Sequence, residues 1–248
     1  MKILCLADLH INSRKDCRQK IHWVKGLVTD NNPDVIVIAG DIFESGFYLR
    51  YNPYEKLSQI TDVPIICVLG NHEFVDMTVE NTLKEYCQLY NPQKYNVHYL
   101  DIIGHYDIGN VRFSGNVLWY DGSMKEYDTQ DIYEWGNGYW LDKKIIGFDY
   151  EIEHNKCIKQ IDEHFDENKT NVLITHCVPH KDINGHLPSE LNAFSGIKDF
   201  FETRHCNYSY SISGHTHKRV VGLERGGCKC INIGNDYYPP YDYYLLEI

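Results

Sequence analysis

The sequence has no apolar run approaching the ~20 residues needed to cross a bilayer as a helix, and its mean hydropathy is −0.45. No membrane partner is expected. Its opening, MKILCLADLH, lacks a basic n-region, a long apolar h-region and a small-residue cleavage site. It reads as a first β-strand rather than a secretory signal, and a cytoplasmic location is expected. Positive charge is also short, with 24 Lys and Arg against 35 Asp and Glu, for a net charge of −11. A protein that grips nucleic acid through its phosphates usually carries the opposite balance. The shortage argues against a non-specific nucleic-acid binder. It leaves nucleotide-sized substrates open, because acidic side chains facing bound metal reverse the local field. There is no internal repeat and no low-complexity linker. Cysteine is not scarce, but the nine present are odd in number, and Cys5 and Cys67 lie inside apolar strand-like runs. Buried reduced thiols fit better than a disulfide framework. Cys228 and Cys230, one residue apart, have neither zinc-knuckle nor CxxC spacing.

At 248 residues the chain fits a single domain over 1–248, with an aromatic-rich insertion at about 121–150. There Trp135, Tyr139 and Trp140 read either as core or as a platform for a nucleobase. Short β-branched runs alternate with amphipathic segments, the pattern of an α/β fold. Strands are expected at 2–7, 35–39, 63–69, 172–175 and 209–213, and helices at 17–30, 78–90, 152–168 and 189–203. In the first helix Ile21, Val24, Leu27 and Val28 fall at helical spacing, and Asn31-Asn32-Pro33 ends it. Segments 97–100, 111–114 and 116–119 read as meander strands of a second sheet, with further strands at 230–233 and 243–248.

The informative feature is what ends the strands. ILCLA runs into Asp8-Leu9-His10, VIVIA into Gly40-Asp41, IICVL into Gly70-Asn71-His72-Glu73, VLIT into His176, and YSIS into Gly214-His215-Thr216-His217. Carboxyl ends of strands line the ligand crevice of an α/β sheet, so five distant segments would deliver donors to one place. Carboxylate, imidazole and amide donors without thiolate suit borderline-hard divalent ions such as Mn, Fe, Co or Zn. Asp8-x-His10 and His215-x-His217 each put two donors on one side of an extended segment. Any one of these blocks alone is ordinary turn chemistry; five in order, each after an apolar run, are not.

These ordered blocks, D-x-H, G-D, G-N-H-[DE], a lone H and G-H-x-H, resemble those of the calcineurin-like metallophosphoesterase superfamily, and they span residues 8 to 217. The resemblance implies a four-layer α/β/β/α sandwich of two mixed sheets, with a dinuclear metal site at the strand C-terminal ends. It implies a first ion held by Asp8, His10, His217 and a bridging Asp41, and a second held by Asp41, Asn71, His176 and His215. The two divalent ions would be manganese, with iron, zinc, cobalt or nickel as alternatives. His72 would face the phosphate as the catalytic residue and assist the leaving group. The chain lacks the Asp-Arg-Gly of the protein-phosphatase branch after its second block, so a small phosphodiesterase-type branch is implied. The expected activity is hydrolysis of phosphodiesters or small phosphate esters by hydroxide generated between the ions. The partner would be a small phosphate ester or nucleotide. The starts ADLHIN and GDIFE also resemble the Mre11/SbcD nucleases, which leaves DNA or RNA as an alternative substrate. A non-catalytic scaffold is the third class, disfavoured because no donor is missing. His180 and His186 are further candidates for substrate contact in a loop after His176.

Overall fold

The computed structural model describes residues 1–45, 50–125, 141–185, 192–202, 207–235 and 239–248. Its first sheet contains β1 (Lys2–Leu6), β2 (Val35–Ala39), β3 (Ile65–Val68) and β4 (Val97–Tyr99), all parallel. The second contains β5 (His105–Ile108), β6 (Val111–Asn116), β7 (Thr170–Thr175), β8 (Tyr210–Ser213), β9 (Val220–Arg225) and β10 (Cys228–Asn232), in the order β5-β6-β7-β8-β10-β9. There β6, β7, β8 and β10 run parallel while β5 and β9 are antiparallel edges. The last strand, β11 (Tyr244–Glu247), returns to the first sheet antiparallel to β1.

Successive strand side chains point to opposite faces, and here both faces are apolar, so both must be covered. Leu4, Leu6, Ile36, Ile38 and Cys67 pack on Ile21 and Val24 of the helix Arg14–Asn31 and on Tyr54 and Tyr86. Their alternates Ile3, Cys5, Val37, Ile66 and Val68 meet Phe113, Val172, Ile174, Ile212 and Ile231 of the second sheet. The far face of that sheet, with Leu173 and Cys230, packs on Ile161 of the helix Tyr150–His164 and on Phe200. The layers therefore run helix, sheet, sheet, helix, the four-layer sandwich that the family resemblance implies. The eight described cysteines are all free thiols, and all but Cys87 are buried.

Several expectations need correction. The first helix starts before residue 17, because Ser13 caps it by accepting from the Asp16 N–H; a cap lies outside the apolar periodicity. Asn32 ends it in the left-handed conformation, its N–H on the Val28 carbonyl. Residues 97–100 do not join the second sheet: β4 extends the first one, parallel to β3. In place of the separate strands expected at 111–114 and 116–119 there is one strand, β6, whose ladder on β7 ends at Asn116, and residues 117–119 belong to no strand. The helix expected over 189–203 does not run through residues 193–202. Ile197 and Phe200 instead donate to the carbonyls of Val178 and Pro179, so pairing with the segment after β7 overrides local helical preference. Trp135, Tyr139, Trp140 and His186 lie outside the described residues.

Because Ile174 fills the inter-sheet layer with no exposed surface, Ile174→Val should lower unfolding free energy by about 1 kcal/mol and Ile174→Ala by about 2–5 kcal/mol. Urea denaturation measures both, and near-neutral results would mean that the two sheets do not pack as described.

Candidate metal centre

The parallel register of β1, β2 and β3 brings their carboxyl ends to one edge, and the loops beyond them are joined by backbone hydrogen bonds. Asp8 N–H donates to the Gly40 carbonyl, His10 N–H to that of Asp41, and Ile11 N–H to that of Ile42. Two bonds cross to the second sheet. His215 N–H donates to Asp8 Oδ1 at 2.9 Å, and His176 Nδ1 to the Ala39 carbonyl at 3.0 Å.

The seven candidate donors converge as two groups. Asp8, His10 and His217 offer ligand atoms within 4.8 Å of one another, as do Asp41, His176 and His215. Asn71 joins the second group: its Oδ1 is 3.1 Å from His176 Nε2, which is also 3.1 Å from His215 Nδ1. Asp41 lies between the two, with Oδ1 3.3 Å from His176 Nε2 and Oδ2 3.6 Å from His10 Nε2. Five of these seven, Asp8, His10, Asp41, His215 and His217, have positive φ between 43° and 71°. That conformation is costly for residues with a Cβ and collects at functional sites.

Glycines make room for the donors. A Cβ on Gly70 would stand 2.0 Å from Asp41 Oδ1, and one on Gly40 would stand 2.4 Å from His176 Nδ1.

Each imidazole has one nitrogen committed to an oxygen partner, which leaves the other turned inward. Nδ1 of His10 bonds Glu44 at 3.0 Å, Nδ1 of His217 bonds the Asn235 carbonyl at 2.5 Å, and Nε2 of His215 bonds the Phe194 carbonyl at 2.9 Å. Such outer bonds fix the tautomer and orientation of metal-binding histidines. Burial pushes the His215 pKa down to about 3, with the neighbouring His176 adding to the effect. For Asp41, burial opposes charge, but His176 and His72 outweigh it and hold the carboxylate well below its usual range. Asp8 Oδ2 is buried with no hydrogen-bond partner, a costly state for a carboxylate oxygen that a cation would relieve. The residues present thus fit a pair of divalent ions.

Three side chains matter here for which the sequence carried no assignment. Asp142, in the short 3-10 turn Leu141–Lys144, accepts from Asn71 Nδ2 at 2.8 Å and from Tyr120 Oη at 3.0 Å. It aims the Asn71 carbonyl oxygen at the centre. Glu44 binds both His10 Nδ1 and His72 Nδ1 at 3.0 Å. Burial opposes protonation of His72, yet Asp41 and Glu44 outweigh it and raise its pKa to about 10. Glu73, fully buried, takes the N–H groups of Ile42, Phe43 and Gly70, each at 2.8 Å, and ties the Gly40-Asp41 loop to the Gly70-Asn71 turn. Neither Asp142 nor Glu44 follows an apolar run, so strand-end reasoning passes over both. His180 is buried, accepts from the Asp182 N–H at 3.0 Å and lies 3.4 Å from Asp199. Its role is to hold its own loop.

A family model described as calcineurin-like phosphoesterase matches residues 1–219. Among curated proteins, the chain is 26% identical over 191 residues to the SbcD subunit of the nuclease SbcCD from Staphylococcus epidermidis, covering 71% of this chain and 46% of that one. The chain thus spans about half the length of that relative. Among solved structures, a phosphopantetheinyl hydrolase from Mycobacterium tuberculosis superposes with a TM-score of 0.72 at 16% identity, covering 94% of this chain and 88% of that one. That likeness concerns the fold.

Removing the carboxylate that orients Asn71 should weaken one ion more than the other. Asp142→Ala is expected to lower affinity for one equivalent of Mn²⁺ by about 10–100-fold, leaving the other nearly unchanged in calorimetric titration. Two unaltered binding steps would deny Asp142 this role.

Proposed function

Since the chain belongs to the calcineurin-like phosphoesterase family, we propose that it hydrolyses phosphodiester or small phosphate-ester bonds at a dinuclear metal centre. The observation that carries this reading is the position of Asp41, whose two carboxylate oxygens face different donor groups at 3.3 and 3.6 Å. Asp8, His10, His217 and Asp41 would hold one ion, and Asp41, Asn71, His176 and His215 the other. Manganese suits this mix of carboxylate, imidazole and amide donors, as do iron, cobalt and zinc. Bound there, such ions lower the pKa of water and neutralise phosphoryl oxygens.

The chain's own residues supply the remainder. By fixing where the two ions would sit, the donors would set the positions of the scissile phosphate and the attacking water, which would convert an encounter into a positioned reaction. His72 presents Nε2 toward the centre, 3.7 Å from Asp41 Oδ2, while Glu44 holds Nδ1. In that orientation it keeps a proton at Nε2 for the departing oxygen, where negative charge accumulates as the P–O bond breaks. No side chain needs to become phosphorylated. The nuclease reading has the SbcD relative in its favour and requires a surface that holds more than one phosphate.

Asp41→Asn should remove proper binding of both ions and nearly all turnover, while circular dichroism stays that of the folded protein. Elemental analysis finding two tightly bound equivalents in that variant, together with full activity, would eliminate the bridging role.

His72→Ala should keep both ions and lose rate according to the leaving group. A diester with an alkoxide leaving group should slow by about 10²–10⁴-fold, whereas bis-p-nitrophenyl phosphate, whose phenolate departs without a proton, should change little. Equal losses on both would assign His72 to holding the phosphate instead.

A further inference from the structure

The helix Arg14–Asn31 carries its charge against its own dipole. Residues 14–25 hold five Lys and Arg and a single carboxylate, Asp16. Four of the five, Arg14, Lys15, Arg18 and Lys20, fall in the N-terminal half, and the last turn has no basic residue. Cations are unfavourable near a helix N-terminus, and Arg14 and Arg18, four apart on one face, repel each other. In a chain with net charge −11, this concentration is not explained by helix stability.

The basic face lines a groove of about 470 Å³, within the range of ligand pockets. Arg14, Arg18, His22 and Lys25 form one wall, Lys56 and Tyr51 stand on the other, and buried Cys17 and Ile21 make the floor. No carboxylate lines it among the described residues. Lys56 has Glu55 at 3.5 Å, but Arg14, Arg18 and Lys25 have no ion-pair partner among the described residues. Arg14 Nε donates to Tyr51 Oη at 2.5 Å, and the Tyr51 ring lies 5.1 Å from the Arg14 guanidinium and 5.7 Å from Lys56 Nζ. These contacts hold two cationic heads in place before any ligand arrives, which lowers the ordering cost of binding. From Arg14 to Lys25 the row spans about 16 Å at 1.5 Å per residue, too long for one phosphate and suited to a chain of them.

One end of the groove is at the helix N-terminus, which the chain reaches shortly after the first donor block. Arg14 comes four residues after His10. On the other side of the same helix, buried Lys20 donates to the His10 carbonyl at 3.2 Å and to Asp16 at 3.1 Å, while Asn12 N–H reaches Asp16 at 3.3 Å. The opposite wall follows the Asp41–Glu44 segment, whose Glu44 N–H donates to the Ile11 carbonyl.

We propose that this groove binds the backbone phosphates of a single-stranded oligonucleotide whose scissile phosphate lies at the metal centre. The inference rests on the phosphoesterase reading and narrows its substrate to one bearing several phosphates in a chain. The groove acts as a charged track of the kind that grips single strands by their backbone.

The test is fluorescence anisotropy of a labelled oligodeoxythymidylate of about 10 nucleotides, in EDTA so that the ions play no part, across a range of salt. Each single-strand phosphate contact contributes about −0.7 to the slope of log K against log salt. Arg18→Gln with Lys25→Gln should flatten that slope by about 1.4 and weaken binding about tenfold or more. Both residues are exposed, and an unchanged melting temperature verifies the fold. An Arg18→Lys, Lys25→Arg control should retain binding. In the presence of Mn²⁺ the Gln variant should hydrolyse bis-p-nitrophenyl phosphate at the wild-type rate while losing turnover of the oligonucleotide. An affinity and slope untouched by the Gln variant would overturn the groove assignment, as would equal competition by inorganic tripolyphosphate at the same phosphate concentration. Absence of hydrolysis of any phosphodiester, with oligonucleotide binding intact, would overturn the phosphoesterase reading and not the groove.

Discussion

Asp41 is a carboxylate held ionised in a place almost without water, and much of the surrounding structure follows from that requirement. It is about 1% exposed, so its charge must be met by neighbours rather than solvent. His176 and His10 approach its two oxygens, and the backbone N–H of His72 donates to Oδ1 at 3.0 Å. Gly70 has to lack a side chain because Asp41 occupies the space beside it. Glu73 in turn fixes the loop that carries Asp41 by gathering three N–H groups. A buried anion surrounded by imidazoles and further carboxylates is costly by itself and is well matched to cations.

The strained backbone belongs to the same arrangement. Five candidate donors at positive φ, each costing on the order of 1–3 kcal/mol, persist only because the sandwich over-determines them. The β1 and β2 loops are joined by successive backbone bonds, and His215 and His176 reach across to the opposite sheet. The apolar layer between the sheets therefore does more than stabilise the domain. It sets the distance at which donors from two sheets meet, so packing and chemistry are one constraint.

Charge is distributed unevenly. The acidic excess describes the surface as an average, whereas the groove along the first helix is walled by cations, several of which the helix dipole disfavours. Net charge constrains long-range attraction; it does not describe a local surface whose cations are collected from two segments of the chain.

The α/β class, the principal strands and the seven candidate donors were legible in the sequence alone, because each block that carries a candidate donor ends an apolar run and that order is local information. The sequence did not reveal β5 and β9, half-exposed edge strands whose apolar alternation is weak, nor that β4 belongs to the first sheet, since pairing partners are chosen by tertiary packing. The short turn around Asp142 and the position of Glu44 were equally silent, as neither residue sits at a strand end. Only the folded chain brings Asp142 to Asn71, 71 residues away, and Glu44 to both His10 and His72. Residue type and local pattern decide which groups can bind or donate. Orientation depends on hydrogen bonds between segments far apart in sequence, and no local pattern encodes those.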